Sequence, residues 1–591
     1  MYIMRDKFGW ERNKIRFFKI SDKTKHIIVY PFFMAVCFLV MVPFWRHNVL
    51  NSGSDMQFHL QRIYEIYMNL KNGSLFPYIS VYSFNNVGAP LNLLYPALFL
   101  YPFSIFMLLL RNPVHAIYLG MWLILFCSMA IAYWTGMKYW KGNFKKSVLF
   151  SFLYTISAWY FHVLFSGFTL GEGIGMIFLP LIAFGTYSIF FRVEHEWCIL
   201  AIGMSGVIYS HLLSAAMYSV VVGIIVLLGV FCTSNWIRNL KFLLFAVLST
   251  IFITSFYWIG FIQTMFNNKL NLTMVVNLQK SALPFGDYIT TSLNNDMIGI
   301  LPILFILLAF ILWKKLDNET KCIAIIGVCF FLMVTSVFPW RLLQNTPVKN
   351  LQFPTRLQTI VNLFLALLGT NIIDYLTSSK ILTKKVYVCV ASLTTMFFIS
   401  NAFNFFSNTS SQTEVDYKPS SSRNMPFMGF KIDPKTFYNI LGYNLGVGST
   451  DYWKKDSVSH NRDLVSHIGY VDGVKQEMIP QIFPNKEKFK VKTKGAGEEI
   501  DLPIMNYNSY NVTLNGKMIS YKESKRGTIM VYSKEKQNVI TIEYKTSAML
   551  VAAKYVSLIS LIVTLAFPIR RKLAKTKKLK RNTVKKLING K

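Results

Sequence analysis

Apolar runs long enough to enter or cross a bilayer recur along most of this chain, separated by short polar connections. They fall at about 27–44, 114–135, 147–165, 174–191, 198–209, 212–231, 241–262, 298–313, 322–338, 357–375, 386–405 and 548–567. The pattern predicts a polytopic α-helical membrane protein with roughly twelve crossings. The run Leu93–Leu110 carries Pro96 and Pro102 and is expected to be re-entrant, or a helix packed at the outer surface of the bundle. The run 198–209 is short for a span, so a second arrangement stays open: one long helix over 198–231, with 93–110 crossing.

Between 406 and 547 the pattern changes. The stretch is polar, and from Lys488 onward apolar and polar residues alternate in Lys488–Thr493, Tyr510–Leu514, Thr528–Tyr532 and Val539–Tyr544. Period-two alternation reads as half-buried strands, and Asn515-Gly516 is a hairpin turn signal. A small antiparallel β-sandwich, tethered by the last crossing, is predicted. Residues 408–487 show few regular patterns and are expected to be partly helical or irregular.

Composition agrees with a membrane protein: 53% of the 591 residues are hydrophobic, and the mean hydropathy is +0.38. The formal net charge is +34, from 62 Lys+Arg against 28 Asp+Glu. Such a balance suggests nucleic acid, but the basic residues cluster in short connections and in the tail, which is the positive-inside pattern. No nucleic-acid partner is expected. The clusters Arg5–Lys25, Lys138–Lys146, Arg192, Arg238 with Lys241, Lys314–Lys321, Lys380–Lys385 and the tail from Arg570 put both termini in the cytoplasm. The expected organisation is a basic N-terminus (1–26), a membrane domain (27–405) with an outer loop at 45–113, an extracytoplasmic β-rich domain (406–547), a last helix (548–567) and a basic tail (568–591). The first apolar run is expected to stay as an anchor rather than be cleaved. The seven cysteines lie in or beside apolar segments, so neither a disulfide framework nor a zinc site is expected.

Candidate chemistry starts in the first outer loop. In Gly53-Ser54-Asp55-Met56-Gln57-Phe58-His59-Leu60-Gln61-Arg62, Ser54 or Asp55 can cap a helix. Asp55, His59 and Arg62 then fall at i, i+4 and i+7, on one face. Asp55 is either a plain N-cap, a general base for an acceptor hydroxyl, or a ligand for a divalent ion such as Mg or Mn. His59 is a second metal ligand, a hydrogen-bond partner of Asp55, or structural. Arg62 forks onto a phosphate or pairs with Asp55. Glu172 either caps the span that follows it or supplies a second carboxylate to the same cavity. His211, in Ser210-His211-Leu212, faces outward in this topology, and His162 among aromatics is a weaker candidate. Arg341 and Arg356 bracket an outer loop against the charge rule, so each needs a partner: a phosphate, a carboxylate or a lipid head group. Gln352 shares the segment Gln352-Phe353-Pro354-Thr355-Arg356. Gly-rich phosphate loops, His-Glu-x-x-His and Gly-x-Ser-x-Gly do not occur.

Gly53-Ser54-Asp55, Phe58-His59-Leu60, Gly73-Ser74-Leu75-Phe76-Pro77, Asn86-Val87-Gly88-Ala89-Pro90, Gly171-Glu172, Ser210-His211-Leu212 and Gln352–Arg356 together resemble bacterial membrane proteins called 6-pyruvoyl-tetrahydropterin-synthase-related, or YfhO-like. The resemblance covers most of the membrane part, and Leu514–Lys517 with Ile542–Tyr544 extends it to the β-domain. It implies a GT-C-type glycosyltransferase architecture in the bacterial cytoplasmic membrane. It also implies a polyprenyl-phosphate-linked sugar donor, an envelope-polymer acceptor such as a teichoic acid or surface polysaccharide, and a catalytic or metal-binding acid at the position of Asp55. That superfamily often has two neighbouring acids in this loop, whereas here Asp55 stands alone with His59 nearby. A lipid-linked polymer transporter or a non-catalytic envelope scaffold are the alternatives.

Overall fold

A computed structural model describes residues 22–51, 53–193, 195–272, 275–409, 413–414, 430–442 and 450–589. The basic stretch 1–21 and most of 410–449 lie outside the described residues. Among the described residues eight helices are long and apolar enough to cross a membrane: 24–47, 113–139, 170–191, 212–232, 236–253, 354–378, 386–408 and 548–570. A ninth is added if Phe144–Thr155 and Ala158–Ser166, bent by 44°, form one broken span. The chain is therefore a polytopic helical membrane protein with a β-rich region.

Three of the twelve expected runs form shorter helices. The runs 198–209 and 298–313 form helices of 12 residues, and 322–338 forms one of 16. At 1.5 Å per residue a 12-residue helix reaches about 18 Å, short of the hydrocarbon thickness. The run 241–262 divides at Thr254 into Trp236–Ile253 and Ser255–Phe266. Leu93–Leu110 forms short helices, the longest Tyr101–Leu109, whose Ser104 hydroxyl donates to Ile63 O.

The two ends of the bundle are chemically distinct. At one end the basic connections meet one another. Lys138 pairs with Glu196, Lys146 with Asp374, the Tyr139 hydroxyl donates to Glu319, and Arg192 donates to Tyr139 O. At the other end sits the β-sandwich. One sheet has the order Lys517–Met518, Tyr510–Leu514, Gln537–Tyr544, Lys486–Lys492, Gln481–Phe483; the other has Lys522–Glu523, Thr528–Tyr532, Glu499–Met505, Ile468–Val471, Val474–Glu477. Phe489, Val491, Leu502, Val512, Ile529 and Ile540 fill the space between them. Strands thus begin at Ile468, earlier than the alternation suggested. Asn515 and Gly516 both have positive φ and join strands paired at Leu514 and Lys517, the turn that a right-twisted hairpin favours.

The sandwich is not held by the last crossing alone. Ile79, Val81, Val87, Ala89, Leu91 and Leu94 of the first loop belong to its core. Met505 N donates to Val87 O, and the Tyr510 hydroxyl to Gly88 O. Asn485 accepts from the backbone N–H groups of Tyr78 and Ile79 and donates to Phe76 O. The first loop and the C-terminal domain are one packed layer.

Inside the sandwich Arg526 Nε donates to Asp501 Oδ2 at 2.9 Å, and the Thr528 hydroxyl donates to Asp501 Oδ1. Removing one partner strands a buried charge, which costs about 3–5 kcal/mol. Arg526→Ala therefore lowers the thermal unfolding temperature of the purified protein sharply, and the double change with Asp501→Leu recovers most of the loss.

Candidate functional site

The cassette forms the start of the helix Met56–Lys71. Two polar rows leave this helix. Gln61, Glu65 and Asn69, spaced by four, face the segment 81–84. Gln61 Oε1 accepts from Phe84 N, and Glu65 accepts from Val81 N, Tyr82 N, the Ser83 hydroxyl and Asn69 Nδ2. Even so, burial pushes the Glu65 carboxyl up to about 7. On the sandwich side Glu487 is fully buried with neither oxygen hydrogen-bonded, and burial holds it well above the usual carboxylate range, with Glu65 adding to the shift. A carboxyl raised on folding binds its proton more tightly in the folded state, so stability falls as pH rises from the ordinary glutamate range through the folded value. For Glu65 the difference is on the order of 3 kcal/mol. The unfolding temperature is expected to drop between pH 5 and pH 8, and Glu487→Leu should raise it most at the alkaline end.

The second row is Asp55, His59 and Arg62. Gly53 lets the cassette touch the connection at 166–168: a Cβ there would lie 2.9 Å from Gly167 C, Phe168 Cβ and Ser166 O. Asp55 N donates to Gly167 O, and the Ser54 hydroxyl to the same oxygen. Asp55 occupies the N-cap position, but its side chain makes no capping hydrogen bond. The plain structural role is therefore not the one this carboxylate performs. Burial raises its pKa above the ordinary aspartate value. Arg356 opposes that shift and Asp451 reinforces it.

His59 is fully buried, and its Nδ1 has no hydrogen-bond partner. Burial, then the charge of Arg62, then His211, hold its pKa well below the ordinary value, so the ring is neutral. Arg62 is tied to the segment 92–96. Its Nε donates to Asn92 Oδ1 at 3.2 Å, and Nη2 to Tyr95 O at 2.9 Å and Pro96 O at 2.5 Å. Its guanidinium lies 4.4 Å from the centre of the Tyr95 ring. Nε and Nη2 hold the segment 92–96, and among the described residues Arg62 makes no ion pair with Asp55.

Tyr95 joins the row to His211, whose ring stacks on it at 5.7 Å. His211 Nδ1 is 2.8 Å from the Ser214 hydroxyl. Burial, with Arg356 and Arg62 adding, takes its pKa down to about 3. Gly171 leaves the space that Tyr95 enters: a Cβ on it would sit 2.6 Å from the phenol oxygen. Glu172, one residue on, is buried, and its Oε1 accepts from the Thr359 hydroxyl at 2.7 Å. It lies within electrostatic reach of both Arg356 and Asp55.

Arg356 is the cation shared by this group. Its charge reaches Asp55, Glu172, His211 and Tyr95. Both of its hydrogen bonds leave through Nη1, to Leu351 O at 3.1 Å and Gln352 Oε1 at 2.9 Å. Among the described residues Nε and Nη2 have no acceptor, which leaves one edge of the fork open. Gln352 adopts φ 62° and ψ −55°, and Phe353 N donates to Leu351 O across it. Such a three-residue turn is strained and persists only where its surroundings demand it. Arg341 stays apart: it is exposed on the turn Trp340–Leu343, with its N–H on Gln279 Oε1. His162 stacks on Trp159 at 5.0 Å, 3.4 Å from Asp296.

Sequence reasoning gave no role to Tyr95, Asp451 or Tyr452. Segment 450–455 is carried to this end by pairing with 269–271: Tyr452 N donates to Asn271 O, Asn271 N to Trp453 O and Lys455 N to Lys269 O. Among the described residues no group of three or more His, Cys, Asp or Glu side chains could hold a metal ion.

No family model and no curated protein matches the chain. A solved structure, the cryo-EM structure of the arabinofuranosyltransferase AftD from Mycobacteria, is similar at 10% identity with a TM-score of 0.44. The match covers 89% of this chain and 40% of that one, so the chain spans well under half of AftD's length.

Proposed function

We propose that this protein is a membrane glycosyltransferase. It moves a sugar from a polyprenyl-phosphate donor to a cell-envelope polymer on the outer face of a bacterial cytoplasmic membrane. One observation carries the reading: an uncapped Asp55 carboxylate of raised pKa shares one end of an apolar bundle with the open edge of Arg356. A raised pKa makes the carboxylate a stronger base, and an open guanidinium edge fits a phosphate. The basic connections at the opposite end favour the cytoplasmic side for that end, with both termini there.

In the proposed step the acceptor hydroxyl oxygen forms a bond to the anomeric carbon and its proton passes to Asp55. The bond from that carbon to the donor phosphate oxygen breaks, and its electron pair leaves with the polyprenyl phosphate, whose charge Arg356 stabilises. Arg62 and neutral His59 position the loop through Tyr95, while Glu172 and His211 stand beside the same group.

The direct assay incubates the protein in liposomes with radiolabelled polyprenyl-phosphate sugars. Release of sugar from one donor, lost in Asp55→Asn, is expected. Intact donors across the panel would remove the reading. Gly171→Ala should displace Tyr95 and lower the rate by about 10- to 100-fold, since an error of about 1 Å in a reacting group is that costly. The check is turnover of a variant that still purifies as a single species.

A further inference from the structure

At the basic end of the bundle, away from Asp55, the helices enclose a cavity of about 370 Å³. Its walls are apolar, with Phe150, Phe184, Ile225, Leu228, Ile326 and Leu363 among them, and one end is polar, at Tyr139, Tyr187, Asn318 and Glu319. The volume is that of a small-ligand site. Walls of this kind hold hydrocarbon rather than water.

The polar end carries a cation without a counter-ion among the described residues. Lys138 and Lys146 are taken up by Glu196 and Asp374. Arg192 has no carboxylate partner among the described residues. Its Nη2 donates to Tyr139 O at 2.6 Å, its guanidinium lies 5.4 Å from the centre of the Tyr187 ring, and its buried Nε has no hydrogen-bond partner. Lys141 and Lys145 are exposed on the adjoining turn. Glu319 stands on the same lip and accepts from the Tyr139 hydroxyl at 2.5 Å.

We propose that this cavity is a binding site for one glycerophospholipid of the surrounding bilayer. One acyl chain fills the apolar walls and the phosphate meets Arg192. Charge complementarity selects this occupant: a cation with an open donor lies where the head groups of the adjacent leaflet lie, above a chain-sized apolar void. Glu319 adds a preference, because a carboxylate beside the phosphate favours a head group bearing donors, an ammonium or hydroxyls. The site is distinct from the Asp55 group and does not depend on the transferase reading.

The test embeds the full-length protein in nanodiscs containing a trace of phosphatidylglycerol with a photoreactive group on one acyl chain. After illumination, cross-linked peptides are mapped. Cross-links concentrated on residues 135–140, 183–191 and 322–326 are expected, with a loss of about fivefold or more in Arg192→Gln. Cross-links confined to outward-facing residues such as Val220, Leu227 and Phe310 would overturn the proposal. So would equal labelling in Arg192→Gln, or displacement of the probe by polyprenyl phosphate but not by unlabelled phospholipid. Because the first reading uses the unaltered protein, a failure of the variant to fold leaves the test decisive.

Discussion

Arg356→Gln is expected to lower sugar transfer by about 100- to 1,000-fold, the usual loss when one donor is removed from developing negative charge. The side chain is already held: Gln352 Oε1 and Leu351 O fix Nη1, so the guanidinium is oriented before substrate arrives. Little of its attraction for phosphate is then spent on ordering it. Arg356→Lys keeps the charge and loses the fork, so it should retain only part of the rate. Gln352→Gly separates holding from charge. The strained backbone persists easily with glycine while the Oε1 tether disappears, so the donor KM should rise more than kcat falls. If all three variants transfer sugar at the normal rate, Arg356 is a structural cation.

Asp55→Asn is expected to have the larger effect, a loss of about 100- to 10,000-fold. Asparagine has nearly the same shape, and no capping bond is lost because Asp55 makes none. Thermal stability should therefore be unchanged or slightly higher, since a buried charge is removed. The unaltered protein should lose sugar transfer on the acid side at a pH above the ordinary aspartate range, because only the ionised carboxylate accepts a proton. Asp451→Asn removes the charge that helps raise Asp55, so that acid limb should move to lower pH.

Local signals in the sequence carried much of the architecture. The long spans follow from apolar length, and Asn515-Gly516 from its left-handed preference. The strand Glu499–Met505 escaped notice because it is buried on both faces, with Asp501 and Pro503 interrupting any alternation. The helix lengths were not legible because composition alone does not reveal where Thr254 or a charged connection ends a helix. At the site, the spacing of Asp55, His59 and Arg62 placed three polar groups on one face. It could not show that Arg62 would bind Asn92, Tyr95 and Pro96 through Nε and Nη2. Nor could it bring Asp451 close to Asp55, a meeting across nearly four hundred residues that depends on the pairing of 450–455 with 269–271.

The most direct measurement is the sugar composition of the envelope polymers in a deletion strain complemented with either the unaltered protein or Asp55→Asn, at matched protein levels. The account predicts that one sugar disappears on deletion, returns with the unaltered protein and stays absent with Asp55→Asn. Full restoration by Asp55→Asn would contradict it.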